Sequence, residues 1–274
     1  MEQYCSTYIL GDDKKMEYFD AHAHYDDNKF DEDREQVLTE SYKQGITAIV
    51  SAGYNLQGTK AGIELAKKYS FIYTTVGISP NDLTDNWEND IKEIEKILLK
   101  EKNNKKILAI GEIGLDYHYN TDKEKQKKAF KKQIEIANRN QLPIVIHTRN
   151  AIMDTLTTLK ENPANKKGIF HCCPHNRELV KEAIKLGYYI SFGGTVTFKN
   201  SKNAEEIVKM VPIDKFVIET DCPYLSPEPV RGTRNDSRNL KYIVKKIAQF
   251  KGVKEQEIAK QSYKNAEKVY EIIK

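Results

Sequence analysis

No stretch of about 18 apolar residues occurs in this chain, so no membrane-spanning helix is expected. The first residues lack a basic start followed by an apolar core, which excludes a recognisable secretory signal. Cysteine is scarce: Cys5, Cys172, Cys173 and Cys222 make no paired framework in 274 residues, and a reducing cytoplasm is the expected compartment. Arginine is scarcer than lysine, with seven arginines among 44 basic residues. Most lysines fall on helix-like segments such as Lys123 to Lys132 and read as a solvated face. The formal charge of +4 is too small to mark a nucleic-acid binder by charge alone. A mean hydropathy of −0.67 with 39% hydrophobic residues fits a soluble globular protein with a strongly charged surface.

Apolar runs alternate with amphipathic runs along most of the chain. Strands are expected at Tyr18–Ala21, Thr47–Ala52, Ile72–Gly77, Ile107–Gly111, Ile144–His147, Gly168–His171, Tyr188–Phe192 and Phe216–Thr220. Helical periods lie between them, for example at Lys123–Gln141 and Arg177–Leu186. Eight strand–helix units predict a single-domain (β/α)8 TIM barrel, with a doubly wound open sheet as the other candidate. Three C-terminal helices, within Asn239–Phe250, Lys254–Tyr263 and Asn265–Ile273, are expected to complete the last unit. Residues 1–15 carry no period and are expected to form a leader outside the fold, leaving residues 16–274 as the barrel.

In such a barrel the chemistry lies where the strands end and the βα loops begin. Strand 1 runs into His22 and His24, strand 4 into Glu112, strand 5 into His147, strand 6 into His171 and strand 8 into Asp221. His22 and His24, two apart on an extended segment, project to the same side. All six are metal-ligand types, and all fall at the same end of their strands. Four imidazoles and two carboxylates exceed the needs of one tetrahedral zinc. Two divalent ions sharing Glu112 as a bridge use all six and leave positions open for water. Each imidazole's second nitrogen then needs an acceptor, which Asp20 or Asp26 is expected to supply.

With these residues assembled, the chain resembles the TatD-type metal-dependent deoxyribonucleases, a branch of the amidohydrolase-like barrel hydrolases. The resemblance runs from about Tyr18 to the C-terminus. It rests on Phe19-Asp20-Ala21-His22-Ala23-His24, on Gly111-Glu112-Ile113-Gly114-Leu115-Asp116, on Pro143 to Ala151 around His147, on Ser191 to Asn200, and on Glu219-Thr220-Asp221-Cys222-Pro223-Tyr224-Leu225. It implies a divalent-metal hydrolase (Mg²⁺, Mn²⁺ or Zn²⁺) that removes nucleotides from DNA ends, a 3′–5′ exonuclease acting on single-stranded or frayed DNA. No membrane association and no obligate protein partner are expected. The family's ligands carry over to His22, His24, Glu112, His147, His171 and Asp221. The chain departs from the family where Ser79 stands for a usual histidine, at Asn81, at Cys172-Cys173-Pro174-His175 after His171, and at Cys222 in place of a usual alanine.

Metal-activated water attacking a phosphodiester would pass its proton to Asp221, with Glu112 the next candidate for that role. The other reading of the same binuclear site is a hydrolase of a small ester, lactone or amide. Arg149, two residues beyond His147, and Arg231 and Arg234 in the loop after strand 8 favour phosphate. Lys199 is a further cation of that face. Tyr117 and Tyr224 are candidates for stacking on a base, His118 and His175 for rim positions. Cys172, following His171 on a strand, is expected to point away from the metals, and Cys173 to pack.

Overall fold

The computed structural model describes residues 16–119 and 122–272. The expected leader and the end of the last expected helix lie outside them. Eight parallel strands, β1 (Tyr18–Ala23), β2 (Ile46–Ser51), β3 (Ile72–Val76), β4 (Ile107–Asp116), β5 (Ile144–Arg149), β6 (Gly168–Phe170), β7 (Tyr189–Phe192) and β8 (Phe216–Ile218), pair strictly in chain order. That order is a barrel's, since a doubly wound sheet reverses direction part-way. The seam between β8 and β1 is made by Asp221 N–H donating to His22 O (3.0 Å) and His24 N–H to Cys222 O (2.7 Å). The (β/α)8 expectation therefore holds.

Helices α1 (Arg34–Lys43), α2 (Leu56–Lys68), α3 (Trp87–Lys100), α4 (Lys123–Asn140), α5 (Ile152–Glu161), α6 (Arg177–Lys185), α7 (Ala204–Met210) and α8 (Leu240–Lys251) surround the strands. Several start where the sequence offers a cap. Asn55, Asp122 and Asn176 each accept a hydrogen bond from the backbone N–H three residues on. Strands buried on both faces account for the near-continuous apolar runs. Their outward residues pack against the helices. Inward residues, among them Phe19, Val50, Val145, Ile169 and Val217, fill the barrel as a second cluster.

Helix α9 (Glu255–Val269) differs from expectation, because one helix replaces the two expected after Lys254. Asn265, the start of the last expected helix, is instead buried in mid-helix, and its Nδ2 donates to the carbonyls of Ile213 (2.9 Å) and Phe216 (2.7 Å). The residue that seemed to break the helix pins it to β8. Ala266 and Val269, with Tyr270 just beyond, join the inner cluster, and Tyr270 stacks near Phe19 at the start of β1. No helix of the described residues is long and apolar enough to cross a membrane.

Candidate metal centre

The side-chain alternation of β1 changes phase before the site. Phe19 and Ala21 belong to the inner cluster, and a register irregularity lies between Asp20 and Ala23. Such a bulge re-aims the following side chains, here bringing His22 and His24 together with Nε2 atoms 3.2 Å apart. β4 runs five residues further than expected, so Glu112 sits within the strand rather than at its end. Past a register shift between Ile110 and Ile113, β5 follows the extension, pairing Gly114 with His147 and Asp116 with Arg149. Gly114 (φ +144°) must be glycine, because a Cβ there would lie 2.0 Å from His147 O. β6 and β8 stop early, leaving His171 and Asp221 just past their ends. Asp221 adopts a left-handed backbone (φ +56°), which Asp tolerates better than most residues.

The six expected ligand side chains converge. Glu112 Oε1 lies 2.8 Å from His147 Nδ1 and 3.3 Å from His171 Nε2. Its Oε2 lies 3.6 Å from His22 Nε2 and 3.8 Å from His24 Nε2. Asp221 Oδ1 stands 3.3 Å from His24 Nε2 and 3.7 Å from His22 Nε2. Three triplets, His22/His24/Glu112, His22/His171/Asp221 and Glu112/His147/His171, bring one ligand atom each within 4.8 Å of one another. Nitrogen and carboxylate donors in this number suit a divalent cation.

Electrostatics agree with that fit. Burial opposes ionisation of Glu112, yet the charge of His171 and hydrogen bonds from His147, His171 and His22 hold its carboxyl well below the usual range. Asp221 is held down in the same way, burial being outweighed by its bond to His24 and the neighbouring imidazoles. His24 shows the counterpart: burial lowers it, but Asp221 above all pushes it up to about 9. Two ionised buried carboxylates demand positive charge between them, from protons or from cations.

Sequence reasoning misplaced the residues behind the ligands. Asp20 does not meet a histidine. It accepts from Thr220 N (2.9 Å), Thr220 Oγ1 (2.5 Å) and Ser237 Oγ (2.7 Å), tying the end of β8 to β1. Asp26 makes no hydrogen bond to a histidine among the described residues either, and its Oδ1 is buried without a partner there. The acceptor for His147 is Asp116, with Oδ2 2.9 Å from Nε2, and Glu219 Oε1 lies 3.6 Å from His171 Nδ1. Both carried a signal: Asp116 is four residues from Glu112 on one strand and Glu219 two from Asp221, spacings that favour a shared face. Asn81 finds a use here too, its Nδ2 donating to Asp116 Oδ2 (2.9 Å). Ser79 donates to Asp82 Oδ2 (2.7 Å).

A basin of about 690 Å³ opens over the cluster. Arg149, Tyr54, Tyr119 and Tyr224 line it, as do Ser79 and Asn81. Cys172 lines it as well, contrary to expectation. β6 ends before it, its left-handed backbone (φ +38°) breaks the alternation, and its N–H is held by Glu219 Oε1 (2.5 Å). Cys173 packs in the core, as expected. Arg234 is not brought to the basin: its guanidinium grips Asp33 (2.6 and 2.8 Å) and sits over Phe30. Arg231 stacks on Phe198 outside the basin lining, with Lys199 exposed beside it. Tyr117 bonds Asp154 (2.8 Å), His175 bonds Ser201 (2.6 Å), and His118 is exposed on the rim.

A family model described as TatD related DNase matches residues 19–271. The chain belongs to the TatD family. Among its relatives, the uncharacterized metal-dependent hydrolase YabD of Bacillus subtilis is 40% identical over 93% of this chain and 99% of its own length. The uncharacterized metal-dependent hydrolase MJ1582 of Methanocaldococcus jannaschii is 34% identical, over 94% and 98%. The crystal structure of YJJV, a TatD homolog from Escherichia coli K12, superposes with a TM-score of 0.88 at 22% identity, covering 93% of this chain and 98% of that one. This TatD-family protein is a metal-dependent hydrolase, with a cluster of histidines and carboxylates at the mouth of its barrel able to hold the metal.

Proposed function

We propose that this TatD-family hydrolase is a deoxyribonuclease of the 3′–5′ exonuclease type, working with two divalent cations, Mg²⁺, Mn²⁺ or Zn²⁺, on single-stranded or frayed DNA ends. One observation carries the reading. The two carboxylate oxygens of Glu112 face separate histidine pairs, Oε1 toward His147 and His171 and Oε2 toward His22 and His24. A shared carboxylate between two nitrogen pairs is the arrangement that a pair of cations requires. His22, His24 and Asp221 would hold one cation with Glu112, and His147 and His171 the other. When bound, the pair would polarise the scissile phosphodiester and activate water at neutral pH.

The chain's own residues supply the rest. Asp221, fixed by its backbone bond to His22 and presenting its carboxylate to the basin, accepts the proton of the attacking water. Among the described residues, Arg149 is the one guanidinium lining the basin, and it offers a planar fork to a phosphate. A concavity of this size takes a chain end rather than the flank of a duplex. The family resemblance supports the DNA substrate and the polarity of digestion in this reading. Asp27 and Asp82, which also line the basin, favour the second reading, a neutral ester, lactone or amide.

Metal-stripped protein reloaded with each cation, assayed on end-labelled single-stranded DNA beside esters and lactones, separates the two. The nuclease reading expects cation-dependent release of nucleotides. It also expects Arg149→Ala to lose roughly 1.5–3 kcal/mol in kcat/KM on DNA, well beyond its loss on a neutral ester. Turnover confined to esters or lactones, or equal losses on both substrates, would overturn it.

A further inference from the structure

The seven arginines divide by what they touch. Five meet carboxylates: Arg34 with Asp31, Arg139 with Glu95, Arg177 with Glu206, Arg234 with Asp33, and Arg238 with Asp236. Arg149 and Arg231 have no carboxylate partner among the described residues. Both instead lie over aromatic rings on the barrel's loop face, Arg149 Cζ 5.7 Å from the centre of Tyr119 and Arg231 Cζ 3.8 Å from the centre of Phe198. Arg149 belongs to the site already described, and Arg231 does not.

The Arg231–Phe198 pair stands on a rigid extension of the basin wall. Thr195 and Leu225 line the basin. A short 3-10 turn, Gly194–Thr197, leads from Thr195 to Phe198. Gly194 is pressed so close to the loop after β8 that a Cβ would lie 2.0 Å from Leu225 O. Glu228 N–H donates to Thr197 Oγ1 (2.8 Å), locking the same two loops together. Three residues of chain place Phe198 at most about 11 Å from Thr195, the reach of roughly three stacked nucleotides at about 3.4 Å each. Asp82, on the loop after β3, adds a carboxylate to the rim away from this wall, and a phosphate backbone is disfavoured there. Asp27 lies on the β8 side, where it accepts from Tyr224 Oη (2.6 Å).

Resting on the nuclease reading, we propose that Arg231 and Phe198 form a second nucleotide-holding station. It takes the DNA strand a few nucleotides from the cleaved end, with the guanidinium plane and the ring serving as a stack for a base and the N–H edge as a phosphate contact. The station makes a short oligonucleotide, rather than a single nucleotide unit, the substrate that fills this protein.

The test is the ratio of kcat/KM for a single-stranded hexanucleotide over a dinucleotide, in the cation-loaded enzyme. The wild type favours the longer strand. Arg231→Ala and Phe198→Ala each lower the ratio by roughly tenfold, within the range for base stacking on an aromatic group. Arg231→Lys, which keeps the charge and loses the plane, falls between them and the wild type. Arg177→Ala, an exposed arginine with a carboxylate partner, serves as the control and leaves the ratio unchanged. A wild-type ratio near one, or a ratio insensitive to both Arg231→Ala and Phe198→Ala, overturns the station while the nuclease reading stands. If the wild type hydrolyses no DNA, the nuclease reading fails. Fluorescence anisotropy of a labelled hexanucleotide then decides the station separately, and equal binding by wild type and Arg231→Ala refutes it.

Discussion

On the β5 side of the centre, His147 is held from behind by Asp116. The Nδ1 atoms of His22, His24 and His171 are buried and meet no hydrogen-bond partner among the described residues, Glu219 Oε1 standing 3.6 Å from that of His171. Those rings are positioned by packing instead. His22 stacks on His171 with ring centres 4.0 Å apart, and His24 lies edge-on to Tyr54 (5.3 Å) and Tyr224 (6.4 Å). Outer carboxylates fix the orientation of a ligating imidazole and raise its basicity, whereas packing fixes orientation alone. The centre is therefore braced by hydrogen bonding in its β5 half, at His147, and by shape at His22, His24 and His171, with Glu112 common to both.

Asp221 belongs to the shape-braced half, and replacing it should give the largest effect. Asp221→Asn keeps the volume and one oxygen donor but cannot accept a proton. It should fold normally, retain metal, and lose about 10²-fold or more in single-turnover rate on DNA. Loss of all metal would make Asp221 chiefly a ligand. Full activity would move the base elsewhere, to Glu112 first. A smaller effect is expected from the braced half. Asp116→Asn replaces the carboxylate behind His147 with a neutral amide, and cation affinity should fall by roughly 10–100-fold. Activity should recover at saturating metal, and the affinity of the His22/His24 position should not change. A loss shared equally by both positions would erase the distinction between the halves.

The barrel and the convergence of six candidate ligands were legible in the sequence because each of these residues stands in or beside an apolar run. His22, His24, Glu112, His147, His171 and Asp221 all show that local mark. The bracing residues were harder to read, because their partners lie across strands. Asp116 meets a histidine of β5 and a side chain of the loop after β3, while Asp20, the nearest acid to His22 in sequence, turns to Thr220 and Ser237. Cys172 was misread because alternation was extended past Phe170, where β6 has ended and the backbone turns left-handed. Arg234 looked like a phosphate ligand by position alone, and only the fold shows Asp33 beside it. Asn265 was taken for a helix boundary, a reading that fails when a polar side chain finds carbonyl partners on the neighbouring strand.

The account stands most directly on the number of cations per chain. Elemental analysis after equilibrium dialysis, run in parallel on the wild type and the His22→Ala/His24→Ala double variant, measures it without reference to any substrate. The account predicts two equivalents for the wild type and one for the double variant, retained by Glu112, His147 and His171. A single equivalent in the wild type, or an undiminished content in the double variant, would contradict the two-position centre built around Glu112.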